Sequence, residues 1–197
     1  IDLAMRTLAV LAHPSQKSFN AQVFSTALST LREAGHEVRT LDLYGEAFEA
    51  RLSEPEWRTN SDVPDNRKPV EALVRDLEWA EALVFVFPTW WSGLPAILKG
   101  WLDRVFLPGV AFDLAEGGPI RAKLTGLRVW AVITTCGSTP LQVLALLDPV
   151  RVHMRALRLA VAPRAKPVFM RLYRMDSVSA EERARFLSRV RERMRTL

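Results

Sequence analysis

Val84-Phe85-Val86-Phe87-Pro88-Thr89-Trp90-Trp91-Ser92-Gly93-Leu94-Pro95 decides how the rest of this chain is read. The first four residues are β-branched or aromatic and uniformly apolar, the pattern of a strand covered on both faces. Pro88 has no N–H for a ladder, so the strand is expected to stop before it. Two adjacent tryptophans, a serine and a glycine then form a short loop. Pro95 suits the first turn of a helix, and Ile97, Leu98, Trp101, Leu102 and Val105 follow at spacings of three and four, one amphipathic face. A buried strand therefore delivers an aromatic loop, and a packed helix carries the chain away. In open α/β sheets ligands bind in loops at the carboxyl ends of strands, so this loop is a candidate seat for a flat aromatic ligand. The alternative is that both tryptophans cap the core.

Working outward, the same unit recurs. Thr7–Ala12 reads as a buried first strand, followed by the polar turn His13-Pro14-Ser15-Gln16-Lys17-Ser18-Phe19-Asn20. Val23, Phe24, Ala27, Leu28 and Leu31 mark a helix stopped by Gly35. Glu37–Leu43 alternates as a strand nearer the sheet edge. Tyr44–Pro69 lacks a long periodic run and reads as an excursion longer than scaffolding needs. Pro69 opens a helix with Leu73, Val74, Leu77 and Ala80 inward. Leu107–Gly118 is a loop carrying Phe112. Leu127–Ile133 is a further strand, ending in Thr134-Thr135-Cys136-Gly137-Ser138. Leu141–Leu159 is helical but interrupted by Pro149. Lys166–Leu172 is the last strand, and Ser179 with Glu182 makes a capping box for a final helix.

Five alternating strand–helix units predict an α/β protein, a five-stranded parallel sheet with helices on both faces. The flavodoxin-like order 2-1-3-4-5 fits that count, and its switch point brings the loops after the first, third and fourth strands to one crevice. Residues 1–197, 49% hydrophobic, are expected to form one domain. No run of eighteen apolar residues is present, so no membrane span is expected. Ile1–Arg6 lacks a signal-peptide layout. The single cysteine, Cys136, excludes an internal disulfide and, with the rest, points to the cytoplasm.

The net charge of +5 is concentrated toward the C-terminus. There Arg183, Arg185, Arg189, Arg191, Arg193 and Arg195 recur between apolar residues as a solvated helix face, so no nucleic-acid partner is expected. There is no GxGxxG, Walker or GxSxG pattern. His13, His36 and His153 lack metal-ligand spacing, so no metal is expected.

Each candidate loop has a chemical role and a plainer alternative. Ser18 and Asn20 open a helix whose free amides attract phosphate, or they simply cap it. His13 reaches a phosphate or orders its turn. Trp90 and Trp91 supply stacking surface, and the amides of Trp91, Ser92 and Gly93 can meet a ring edge. Thr134, Thr135 and Gly137 let a flat ring approach the backbone. Cys136 has no basic neighbour in sequence and reads as a packing thiol.

These residues resemble the flavodoxin-like NAD(P)H:quinone oxidoreductases and their bacterial relatives. The resemblance is carried by Leu11-Ala12-His13-Pro14, Ser18-Phe19-Asn20, Phe87-Pro88, Trp91, Gly93 through Trp101, Asp103-Arg104-Val105-Phe106 and Thr134-Thr135-Cys136-Gly137. It runs from about residue 6 to 140. It implies that His13, Ser18, Phe19 and Asn20 hold a flavin phosphate. Pro88, Thr89, Trp90, Trp91, Ser92 and Gly93 would embrace the isoalloxazine, and Thr134, Thr135, Cys136 and Gly137 would flank its pyrimidine side. Hydride would pass from NAD(P)H through the flavin to a quinone or other small electrophilic aromatic, with Trp90 and Phe112 against the acceptor, in a homodimer.

The 44–69 excursion tilts the cofactor toward FAD, with FMN the alternative. The animal enzymes place a Tyr and a His shortly after the Thr134–Gly137 motif. Ser138–Val152 contains neither, leaving an amide edge, or an arginine such as Arg151 or Arg155, as candidate substitutes. A soluble ancillary subunit of a potassium-efflux transporter is the alternative function. The basic charge and the tryptophan-rich loop disfavour a one-electron carrier.

Overall fold

The computed structural model describes residues 4–114 and 118–197; Gly117 of the expected 107–118 loop and the start of the N-terminal stretch lie outside them. Strands β1 (Arg6–Leu11), β2 (Glu37–Asp42), β3 (Ala82–Pro88), β6 (Val129–Thr135) and β7 (Lys166–Leu172) form one parallel sheet in the order β2-β1-β3-β6-β7. Without the small antiparallel ribbon β4 (Phe112–Asp113) and β5 (Arg121–Ala122), this is the expected 2-1-3-4-5 order. β3 and β6 are buried along their whole length, which is why their sequences are continuous apolar runs.

The pleat divides the core in two. Leu8, Phe85, Phe87, Trp130 and Val132 face α3 (Glu71–Trp79), α4 (Ala96–Val105) and α6 (Pro149–Val161). Ala9, Leu11, Val84, Val86 and Ile133 face α1 (Phe19–Glu33) and α7 (Ala180–Arg195). Gly35 closes α1 at φ +88°, its N–H donating to Arg32 and the His36 N–H to Leu31, a left-handed helix stop that glycine adopts without strain. The Pro149 interruption yields two helices, α5 (Pro140–Ala145) and α6.

Two expectations need correction. β3 runs through Pro88, which pairs with Thr135. The Ala12 N–H donates to Val86 and the Thr89 N–H to Thr135, so alternation turns residue 88 toward β1 beyond that strand's last pair. Its missing N–H therefore costs no central ladder bond. Pro95, for its part, precedes α4 as N-cap instead of lying in its first turn.

The 44–69 excursion is also more ordered than a loop. It contains α2 (Glu54–Arg58), opened by a Ser53/Glu56 capping box, and a 3-10 helix over Asp65–Val70. It packs on α4: the Arg104 Nε and Nη2 groups reach Glu56 Oε1 at 2.9 and 2.5 Å, and Nη1 donates to the Glu49 carbonyl. Gly100 makes the approach possible, because a Cβ there would lie 2.1 Å from the Ala50 carbonyl oxygen.

Candidate functional site

The loop after β3 is a tight reversal. Trp90 and Gly93 exchange N–H···O=C bonds of 3.2 and 2.8 Å, and the residues between them, Trp91 and Ser92, sit at φ +48° and +59°. This is the left-handed geometry of a two-residue hairpin turn, normally Asn-Gly or Gly-Gly. Each non-glycine residue there costs on the order of 1–2 kcal/mol, and no packing offsets it at Trp91, which is 103% exposed. Trp90 is 41% exposed. Neither ring caps the core. Thr89 anchors the turn, its N–H on Thr135 O at 2.7 Å and its hydroxyl 3.0 Å from that of Thr134.

The loop after β1 ends at Ser18, whose hydroxyl accepts from the Ala21 N–H and caps α1. The capping reading is thus correct, yet the Phe19 and Asn20 amides, in the helix's first turn, keep no partner within the helix. Asn20 is buried; its Nδ2 donates to Thr135 Oγ1 at 3.0 Å while its Oδ1 has no donor among the described residues. His13 Nδ1 accepts the Ser15 N–H, and burial lowers the imidazole below its ordinary 6.5. Neutral His13 therefore carries its proton on Nε2. The ring lies 6.2 Å from that of Trp90.

The loop after β6 is held by the chain beyond β7. Cys136 N–H donates to Leu172, Cys136 O accepts from Met175, and Ser138 O accepts from Arg174. A Cβ on Gly137 would lie 2.5 Å from Asp176 Oδ2. Burial pushes the Cys136 thiol pKa up, with Arg171 acting in the opposite sense. A thiol protonated at neutral pH is no nucleophile, which agrees with a packing role.

The three loops enclose a cavity of about 580 Å³ lined by His13, Ser18, Phe19, Asn20, Pro88, Thr89, Trp90, Trp91, Thr135, Cys136 and Gly137, together with Met175 and Asp176. A second cavity, about 410 Å³, shares Thr89, Trp91, Cys136 and Gly137 as walls and adds Ser92, Gln142, Asp148 and Arg171. The remaining candidates are not on these walls. Gly93 closes the turn, Thr134 is fully buried behind Thr89, and Phe112 packs half-buried against the core on β4, its carbonyl accepting from Gly109. No residue of the 44–69 excursion lines either cavity. Arg151 and Arg155 instead line a separate groove between α6 and β7.

The residues that sequence reasoning missed are Met175, Asp176, Asp148 and Arg171. Only Arg171 left a trace: a charged residue directly after the apolar run Pro167–Met170 of a strand, one that buried strands avoid unless the charge has a use. Among the described residues no cluster of His, Cys, Asp or Glu is placed to hold a metal, and no helix is long and apolar enough to cross a membrane.

A parallel sheet in 2-1-3-4-5 order with an open crevice beside its switch point defines the doubly wound α/β class, in which ligands bind at that point. The comparisons narrow that class. The model of a family described as having a flavodoxin-like fold matches residues 5–192, and the chain belongs to that family. NAD(P)H dehydrogenase [quinone] 1 of Rattus norvegicus is 36% identical over 152 residues, 68% of this chain and 54% of that protein. Ribosyldihydronicotinamide dehydrogenase [quinone] of Homo sapiens is 33% identical over 150 residues, 63% of this chain and 62% of that protein. The chain thus spans somewhat more than half the length of these curated relatives. Among solved structures, Smu.1420 from Streptococcus mutans UA159 superposes with a TM-score of 0.85 at 30% identity, covering 98% of this chain and 100% of that one. An NAD(P)H:quinone oxidoreductase from Methanothermobacter marburgensis gives 0.83 at 28%, covering 98% of both.

Proposed function

We propose that the chain is a flavin-dependent NAD(P)H oxidoreductase that reduces quinones or similar small electrophilic aromatics. One observation carries this: three strand-end loops meet around a cavity with amides at one end and an exposed, strained tryptophan turn at the other. The similarity to quinone-reducing proteins supports the same reading.

The residues fit a flavin. The Phe19 and Asn20 amides, the Ser18 hydroxyl and the Nε2–H of His13 suit a phosphate at the α1 N-terminus. Asp176, on the cavity wall, is an acceptor suited to sugar hydroxyls. Between Trp91 and Gly137 a planar ring can lie against backbone, while the missing Cβ of Gly137 leaves room for the Asp176 carboxylate on the same wall. A bound flavin would supply the two-electron chemistry; the chain's part is to position the partners and exclude water. These contacts account for the part common to FMN and FAD. The excursion that pointed to FAD lies on α4, away from the cavity, which favours FMN.

A second copy of the chain is proposed to cover the mouth of the smaller cavity, where Trp91 and Leu146 line the wall and Leu141, Leu144 and Leu147 stand exposed on and just after α5. The transporter-subunit alternative gains nothing from the relatives named above. The test is titration of flavin-free protein with FMN and FAD, followed by flavin fluorescence. The reading requires saturable uptake of a flavin that Trp91→Ala weakens at least tenfold; absence of uptake by the wild-type chain would sink it.

A further inference from the structure

Arg171 is a buried charge whose hydrogen bonding is incomplete among the described residues, though its guanidinium also lies over the Phe169 and Tyr173 rings. It sits on β7 with its side chain 2% exposed, on the wall of the smaller cavity. Nη1 lies 2.7 Å from Asp148 Oδ1, but its N–H is not directed along that contact, and neither Nη1 nor Nε has a hydrogen-bond acceptor among the described residues. Asp148 is already engaged elsewhere: Oδ1 accepts the Arg151 N–H at 3.2 Å and Oδ2 lies 3.1 Å from Arg151 Nε. One carboxylate thus faces two guanidinium groups, leaving a net positive charge beside the N-terminus of α6, itself a positive dipole end. Leu147 and Asp148 sit at φ +58° and +47°, so a strained backbone holds the carboxylate there. A buried guanidinium with unmatched N–H groups is costly. Because Arg171 lines the cavity, an anionic oxygen bound there offsets its charge. The same walls carry the apolar Trp91, Leu146 and Val150 beside the polar Ser92, Ser138 and Gln142, so the ligand that fits is a ring with polar, anionic substituents.

We propose that Arg171 sets acceptor specificity, selecting aromatic acceptors that carry an anionic oxygen, such as ionised hydroxyquinones or quinone carboxylates; this rests on the oxidoreductase reading of the same site. Asp148 positions and partly offsets the charge.

The test is binding without turnover. Oxidised, FMN-loaded protein with no nicotinamide donor is titrated at neutral pH with 2-hydroxy-1,4-naphthoquinone, an anion there, and with 2-methyl-1,4-naphthoquinone, its neutral analogue of similar size. The expected result is at least tenfold tighter binding of the anion. Arg171→Met should bring the two within twofold of each other, and Asp148→Asn, which retains a helix-capping side chain, should widen the gap. Equal binding by the wild type, or a preference that neither variant alters, would overturn the proposal. If Arg171→Met does not fold, the direction of the Asp148→Asn change decides. The same titration without FMN separates the two readings: an Arg171-dependent preference in a chain that takes up no flavin defeats the flavin assignment alone.

Discussion

At the residue scale, Trp91 joins strain, exposure and position in one side chain. An evolved turn at φ +48° normally selects glycine or asparagine. Trp91→Gly should therefore raise stability by about 1 kcal/mol while weakening flavin uptake at least tenfold. A urea unfolding curve and a flavin titration on one preparation read both, and loss of stability with unchanged uptake would contradict this account of the turn. The residues legible in sequence were those whose chemistry is local: Ser18 as a cap, Trp90 and Trp91 on a strand-end loop, Gly137 as a close approach. Asp176 was not legible, because it reaches the site from the chain beyond β7 and no neighbouring residue announces it; Arg171 left only the trace of a charge next to an apolar run. Phe112 was misplaced for the opposite reason. Its aromatic character says that it is buried against something, and that something is the α4 side of the core.

At the element scale, the excursion is the instructive case. Pro, Asn and Asp marked it correctly as irregular, but its partner is a helix face, and helix faces are matched by shape that composition does not encode. One variant tests that packing directly. Alanine is worth about 1 kcal/mol over glycine inside a helix, yet Gly100→Ala should destabilise the chain by about 2–3 kcal/mol, since the new Cβ meets backbone and not a yielding side chain. A gain in thermal stability would show that the excursion does not sit on α4.

The Glu56–Arg104 pair beneath it supplies a pH signature. Burial opposes the Glu56 charge, but hydrogen bonds from Ser53 and Arg104 outweigh it and hold the carboxyl below its ordinary 4.5. A carboxyl depressed in the folded state contributes stability that is complete above its unfolded pKa and lost as pH falls through the folded value. Glu56→Gln should thus be less stable than wild type at pH 7, with the difference shrinking below about pH 4.5. Unfolding midpoints at pH 7 and pH 4 check the sign; a constant difference across that range would rule out this linkage.

At the scale of the whole molecule, the parallel order sends the loops after β1, β3 and β6 to one edge of the sheet, and function follows from that convergence. Periodicity established the sheet because β3 and β6 are buried on both faces and cannot be mistaken for surface strands. From the sheet order the crevice followed. What the order could not supply was the second wall, built by the chain after β7 and the start of α6. The most direct measurement of the central claim is an anaerobic absorbance titration of the flavin-loaded protein with NADH or NADPH, then with a quinone. The account predicts loss of the flavin band on adding the nicotinamide and its return on adding the quinone. A flavin that stays bound and oxidised in the presence of both nucleotides would contradict it.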